Sequence, residues 1–232
     1  MLLYYVRHGD PIYEPDQLTE LGKLQATAVG KRLAPQGIDR VFSSTSNRAC
    51  QTARPLCDIV KKEPELMDWC NEAYAWEELT CINERGQKTW CNMEPRTKRL
   101  FAQEDIRKLG RQWYAHPAFA GTTYAAGITR IQRETDAFLA TLGYRHDLEN
   151  NCYYAENPRY GKVALFAHAG AGAAILSCML DIPYPVFAPK FNMSHTGVTV
   201  ISFEEKEGIV LPEVLTFSND SHLYREGLPT LY

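Results

Sequence analysis

The sequence carries no strong excess of one charge: 25 Lys and Arg against 28 Asp and Glu leave a net charge of −3 at pH 7. That excludes a broad electrostatic grip on nucleic acid or an anionic membrane, and it leaves room for a small local basic pocket. There is no long hydrophobic run. The longest nearly apolar stretch, residues 169–180, is too short and too rich in glycine to span a bilayer. The opening residues, Met1 to His8, lack a basic segment followed by an apolar one and do not read as a signal peptide. No Cys-x-x-Cys pair occurs among the seven scattered cysteines, which argues against a structural zinc site or a disulfide framework and suits a reducing cytoplasm. There is no internal repeat and no low-complexity segment. What remains is ordinary globular composition, 45% hydrophobic and 23% charged over 232 residues, enough to bury one core. These absences narrow the class and name no function.

The first half alternates between two periodicities. Leu2 to Val6 reads as a buried strand, and Leu21, Leu24, Ala28 and Leu33 fall near helical spacing behind a Thr19 cap, with Pro35 to Gly37 as the stop. Asp39 to Ser43 reads as a second strand and Ser46 to Lys62 as a second helix. Strand, helix, strand, helix at this spacing predicts a parallel sheet with crossover helices, in a three-layer α/β/α fold. The middle of the chain is aromatic and charged with little strand patterning. Residues 94–111 look helical and basic on one side, residues 128–142 are helical, and residues 146–161 read as a polar loop. Lys162 to Ala167 predicts a third buried strand leading into a small-residue helix that ends near Leu180, and residues 197–203 and 209–217 alternate as two more strands. The expected organisation is one domain over residues 1–232, with residues 79–161 inserted as a largely helical cap.

Ligands of open parallel sheets bind at the carboxyl ends of the strands. Each such end here carries polar groups: Arg7-His8-Gly9 after the first strand, Ser43-Ser44 and then Asn47-Arg48 after the second, and His168 after the third, followed only by small residues. Two arginines, two histidines, helix N-termini and glycines suit a phosphoryl group. Arginine offers a planar fork to phosphate oxygens, helix N-termini add free N–H donors, and a neutral histidine can attack phosphorus.

These elements resemble the histidine phosphatase (phosphoglycerate-mutase-like) superfamily, in the manner of its branch 1 phosphatases. The resemblance rests on Arg7-His8-Gly9, on Leu18-Thr19-Glu20-Leu21-Gly22 leading a helix with Gln25-Ala26, on Ser43-Ser44 with Arg48-Ala49 and Gln51-Thr52-Ala53, and on the distal strand ending in His168. It implies that His8 is a nucleophile that becomes transiently phosphorylated. It further implies that Arg7 and Arg48 hold phosphate oxygens and that His168 donates to the transferring group. The resemblance also implies that the proton donor to the leaving group is a carboxylate on the segment after the family's own third strand, which in this chain lies ahead of Lys162; Asn71-Glu72 fits that position best, with Glu77 and Glu78 as substitutes. The implied reaction is hydrolysis of a small phosphorylated metabolite, with no cofactor and no metal. A phosphoglycerate-mutase-type transfer and a non-catalytic phospho-ligand module are the alternatives. Mutase-type members carry a glutamate after the Arg-His-Gly run and then an asparagine- and tryptophan-containing segment; Asp10-Pro11-Ile12-Tyr13 stands here instead, which points away from mutase activity more than from phosphatase activity. Ala169 replaces the usual glycine after the second histidine.

Beside this set, His116, His146 and His222 read as surface or satisfied core histidines, whereas His195, just before a strand, is placed to reach substrate. The Gly170-Ala171-Gly172 run lacks the third glycine of a dinucleotide fingerprint and reads as close strand–helix packing. Arg96, Lys98, Arg99, Arg107, Lys108 and Arg111 read as the solvated face of a cap helix. Tyr13, Tyr74, Trp76 and Trp90 are packing aromatics by default, of which Tyr13 and Trp76 neighbour the site segments and are further substrate contacts, together with Ala169.

Overall fold

Leu2–Arg7 forms β1, buried along its length after the first residue, as expected of a central strand covered on both faces. The computed structural model describes all 232 residues. A short hairpin, β2 (Pro11–Ile12) and β3 (Gln17–Leu18), presents residues 13–16 as a loop. Helix α1 (Glu20–Leu33) begins where the Thr19 hydroxyl accepts the Gly22 N–H at 2.9 Å, and α2 (Asn47–Val60) follows β4 (Arg40–Ser44) behind a Ser46 cap. Helix α2 stops at Lys61, which takes the left-handed conformation (φ 57°). Next come β5 (Glu65–Met67), α3 (Glu72–Glu78), and a hairpin of β6 (Thr80–Ile82) and β7 (Lys88–Trp90). Two short helices, α4 (Pro95–Phe101) and α5 (Glu104–Lys108), precede the long α6 (Tyr124–Thr141). The chain ends with β8 (Tyr144–Asp147), β9 (Cys152–Ala155), β10 (Lys162–Ala167), α7 (Gly170–Met179), α8 (Tyr184–Phe187), β11 (Val198–Ser202), β12 (Glu205–Lys206), β13 (Ile209–Val210), β14 (Glu213–Asn219) and α9 (Ser221–Arg225).

Six strands make the central sheet, in the order β14-β11-β1-β10-β4-β5. The pairings among β1, β10, β4 and β5 are parallel, and β11 alone runs against its neighbours, antiparallel to both β1 and the edge strand β14. The sheet is thus mixed and mostly parallel. Its alternation sorts the core into two layers. Tyr4, Val6, Val41, Ala164 and Phe166 face α1 and α2 through Val29, Leu33, Ala53 and Leu56, while Leu3, Tyr5, Phe42, Val163 and Leu165 face α6 and α7 through Phe138, Leu139, Ala174 and Ile175. No helix is long and apolar enough to cross a membrane. All seven cysteines are free.

Several expectations change in detail. The helix expected over 94–111 is two short helices separated at Ala102 and Gln103. The polar loop expected over 146–161 contains β9 and the end of β8. The Asp147 carboxylate closes that turn by accepting the Glu149 and Asn150 N–H groups at 3.1 Å each, and the pair joins β12 and β13 in a second sheet. The strand expected over 209–217 divides into β13 and β14 at Leu211-Pro212, where proline has no N–H to give. Strand β5 carries no alternating pattern because it is three residues long and sits at the sheet edge. Within residues 79–161, α6 lies on the sheet itself, with Phe138 edge-on to Phe42 at 5.0 Å, and the β6–β7 hairpin reaches toward the strand ends.

His146, read from sequence as an ordinary histidine, has a buried side chain held between two carboxylates. Its Nδ1 lies 2.7 Å from Asp136 Oδ1 and its Nε2 3.0 Å from Asp181 Oδ2, joining α6, β8 and the segment after α7. Burial disfavours its charged form, but the bonds to Asp136 and Asp181 outweigh burial and raise its pKa to about 9. The folded pKa lies above the unfolded one, so this contribution is fully present below pH 6.5 and is lost as pH rises through about 9. The expected size is on the order of 2–3 kcal/mol. Urea unfolding of the wild-type protein and His146→Asn should therefore differ by that amount at pH 6 and converge by pH 10; a gap independent of pH would show that the imidazolium contributes nothing.

Candidate active site

Short-range bonds first fix the segment after β1. The Gly9 N–H donates to Thr52 Oγ1 at 3.0 Å, and Asp10 N–H donates to Gln25 Oε1 at 2.8 Å. The Thr52 hydroxyl donates in turn to the Arg48 carbonyl at 2.7 Å. Gly9 lies against Gly22 so closely that a Cβ on Gly9 would collide with the Gly22 carbonyl. The two glycines and the Gln25 and Thr52 side chains, scattered in sequence, thus all serve to place His8.

His8 is 1% exposed. Its Nδ1 lies 2.7 Å from the Gly9 carbonyl, an acceptor only, so Nδ1 carries the proton and Nε2 keeps its lone pair. Burial and the neighbouring His168 hold its pKa well below the usual histidine value, so the ring is neutral at pH 7. His168 stands edge-on to it, with ring centroids 5.3 Å apart. His168 is fully buried, and burial with the positive Arg48 and Arg7 keeps it neutral as well. Its Nδ1 accepts from Arg48 Nη2 at 3.2 Å, so its proton sits on Nε2, 2.9 Å from Ser44 Oγ.

Arg48, on the first turn of α2, joins the parts. It donates to Asp16 Oδ1 through Nη1 at 2.7 Å and to Glu72 Oε2 through Nη2 at 2.9 Å. Arg7 is buried with Nη1 bonded to the Met193 carbonyl. The Nε donors of both arginines are buried without a protein acceptor. Glu72 opens α3, whose N-cap is Asn71, and its Oε1 accepts the Gly170 N–H at the start of α7 at 3.0 Å. Glu77 pairs instead with Lys88 at 2.7 Å and Glu78 with Arg130 at 2.6 Å, so of the three carboxylates Glu72 alone faces Arg48 and His168.

The structure therefore brings together Arg7, His8, Arg48, Glu72 and His168. His195 joins them from the segment before β11, its ring 5.8 Å from His8 and its Nδ1 buried without a hydrogen bond. Burial and Arg7 push its pKa down to about 4. Tyr13 and Trp76 line a cavity of about 630 Å³ above Arg48 and Glu72. Ala169 contributes its carbonyl to α7, accepting the Ala173 N–H at 2.9 Å, and no side-chain contact to the cavity. Asp16, Ser46 and Trp90 also line the cavity and were not expected there. Trp90 had a signal: Asn83 to Gly86 makes a tight turn, with Asn83 Oδ1 accepting the Arg85 and Gln87 N–H groups at 2.9 Å and Gly86 at φ 76°. Reading that turn would have placed the hairpin. Asp16 had none. His116 and His222 are satisfied by Asp105 and by Thr196 with Arg32.

His8, Glu72 and His168 are also the one set of histidine, cysteine or acidic side chains whose ligating atoms converge within 4.8 Å. Arg48 already donates to both Glu72 and His168, so the approach a cation would use is taken by a guanidinium. The field is suited to an anion.

A family model of the histidine phosphatase superfamily (branch 1) matches residues 3–116. The chain belongs to this superfamily. It is 23% identical to a probable phosphoglycerate mutase of Yersinia enterocolitica over 246 aligned positions, covering 99% of this chain and 98% of the relative. Among solved structures it is similar in fold to the phosphoserine phosphatase of Entamoeba histolytica in complex with 3-phosphoglyceric acid, with a TM-score of 0.60, 18% identity, and 96% and 98% of the two chains covered. It is similar as well to the alpha-ribazole phosphatase of Shigella flexneri, with a TM-score of 0.58, 19% identity, and coverage of 95% and 97%. The branch 1 match spans β1, α1, β4, α2 and Glu72; the distal histidine, His168, lies beyond it and reaches the site through the fold.

Gly170 is a tight joint of this site. Its N–H holds Glu72, and a Cβ there would lie inside the Trp90 ring. Gly170→Ala should therefore cost about 1–3 kcal/mol through overpacking, a melting temperature lower by roughly 2–10 °C, with a shifted tryptophan emission. An unchanged melting temperature and emission would mean that the hairpin is free to move off α7.

Proposed function

We propose that this protein is a phosphomonoesterase that works through a phosphohistidine on His8. The observation that carries the reading is the state of His8: buried, neutral, with Nδ1–H fixed on Gly9 and the Nε2 lone pair left for attack. A small phosphorylated metabolite places its phosphoryl group against Arg7 and Arg48, whose unpaired Nε donors and charge stabilise the equatorial oxygens. His8 Nε2 attacks phosphorus in line. The bond to the ester oxygen breaks, and Glu72, which takes up a proton from solvent as the phosphate displaces it from Arg48, gives that proton to the oxygen. Water then attacks the phosphohistidine, Glu72 takes its proton, and phosphate leaves with His8 restored.

His168 plays a two-state part. In the present geometry it accepts from Arg48 and orients the guanidinium. A dianionic phosphoryl group beside it favours the imidazolium, and a second proton on Nδ1 turns that acceptor into a donor. The transferring group thereby gains a charge-assisted hydrogen bond when its negative charge is greatest. Because the guanidinium and imidazolium groups supply this stabilisation, catalysis is expected to persist in EDTA. The same site would serve a mutase if the phosphohistidine were intercepted by a second hydroxyl; the Asp10 to Tyr13 segment favours water as the acceptor, and measured phosphate release should exceed isomerisation of phosphoglycerates.

Two substitutions test the assignment. His8→Ala should remove phosphate release from p-nitrophenyl phosphate by at least about 10³-fold. Glu72→Gln should slow alkyl phosphates by roughly 10²–10⁴-fold and p-nitrophenyl phosphate far less, since nitrophenolate leaves without a proton. Equal losses on both substrates would move the acid away from Glu72.

A further inference from the structure

The cavity over Arg48 and Glu72, about 630 Å³, is much larger than a phosphoryl group, and its far walls tell what the rest of the substrate resembles. Trp90 arrives on the β6–β7 hairpin and lies on Gly170. Trp76, one turn beyond Glu72 on α3, meets it edge-on, with ring centroids 5.1 Å apart. Tyr13, from the loop between β2 and β3, lies over the Arg48 guanidinium at 5.3 Å and is 63% exposed. These three rings surround the position a leaving group takes once its phosphate is on Arg48.

The charge lining the same space is one-sided. Arg48 is its single cation, and it is already bonded to the two carboxylates present, Asp16 and Glu72. Lys88 lies over the Trp76 ring at 5.7 Å and is spent on Glu77 at 2.7 Å. A carboxylate on the departing alcohol would find the Asp16 carboxylate, the Glu72 side chain and three aromatic rings, with no second cation to pair with and only neutral hydroxyl, amide and indole donors in place of its hydration. An uncharged alcohol with an apolar face would find rings to stack on. Resting on the phosphomonoesterase reading, we infer that this site takes phosphomonoesters of uncharged alcohols bearing an aromatic or similarly apolar face. Trp76, Trp90 and Tyr13 hold that face, and Asp16 helps exclude anionic alcohols.

The test compares kcat/KM for 2-phenylethyl phosphate, glucose 6-phosphate and 3-phosphoglycerate, with p-nitrophenyl phosphate reporting phosphatase chemistry itself. The first is expected to exceed 3-phosphoglycerate by at least about 30-fold, and the sugar phosphate separates a carbohydrate face from an aromatic one. Tyr13→Ala, at an exposed position where folding is not at stake, and Trp90→Ala should each lower the phenylethyl-to-phosphoglycerate ratio by about 5- to 10-fold. Asp16→Asn should lower it by raising the rate on 3-phosphoglycerate. A 3-phosphoglycerate rate equal to or above that of 2-phenylethyl phosphate overturns the inference and leaves the phosphatase reading standing, as does a ratio that none of the three variants moves. Failure on every donor, p-nitrophenyl phosphate included, removes the phosphatase reading and the inference with it.

Discussion

The guanidinium of Arg48 is the point through which the site is connected. One nitrogen binds Asp16 on the loop between β2 and β3; the other binds Glu72 on α3 and His168 at the end of β10. Three segments distant in sequence are thereby tied together, with the Glu72 and His168 ligating atoms within 4.8 Å of that of His8. The position of Arg48 is itself fixed, because Ser46 caps α2 and Thr52 bonds both the Arg48 carbonyl and the Gly9 N–H. Removing its charge would take the shared cation from Glu72 and Asp16 and leave them only the backbone N–H groups of Gly170 and Asn47, a costly loss for partly buried carboxylates.

Concentrating positive charge in this way also sets the protonation of the histidines. A protein of net charge −3 holds two buried arginines beside three buried imidazoles at His8, His168 and His195. Burial disfavours the imidazolium forms, and the arginines oppose them further at His168 and His195. His146, buried elsewhere between Asp136 and Asp181, moves the opposite way for the converse reason. The same residue type is tuned in two directions by the sign of its neighbours.

Much of this was legible in the sequence because the site hangs on local, repeated physical needs. The Arg7-His8-Gly9 run sits at a strand end, and the helix that follows must supply Arg48, Gln51 and Thr52 on one face; Gln51 accepts the Leu18 N–H at 2.7 Å and Thr52 the Gly9 N–H. Those contacts constrain residue type and spacing, so they leave a pattern. Glu72 was preferred to Glu77 and Glu78 on resemblance alone; the physical reason comes only from the folded chain, where Lys88 and Arg130 take the other two. Asp16 and Trp90 were not identified as site residues. Their roles depend on how a loop and a hairpin are aimed, and neither leaves a periodic trace; Trp90 alone had a nearby turn that pointed to it.

The central claim is that phosphorus is attacked by the unprotonated nitrogen of His8, the Nε2 that the Gly9 carbonyl leaves free. Rapid quenching of the enzyme during turnover of a phosphomonoester, under alkaline conditions that preserve phosphoramidates, followed by peptide mapping and 31P NMR, reads this directly. Phosphate attached to Nε2 of His8, labile to acid and stable to base, is the expected result. A label on Nδ1, on any other residue, or stable to acid would contradict it.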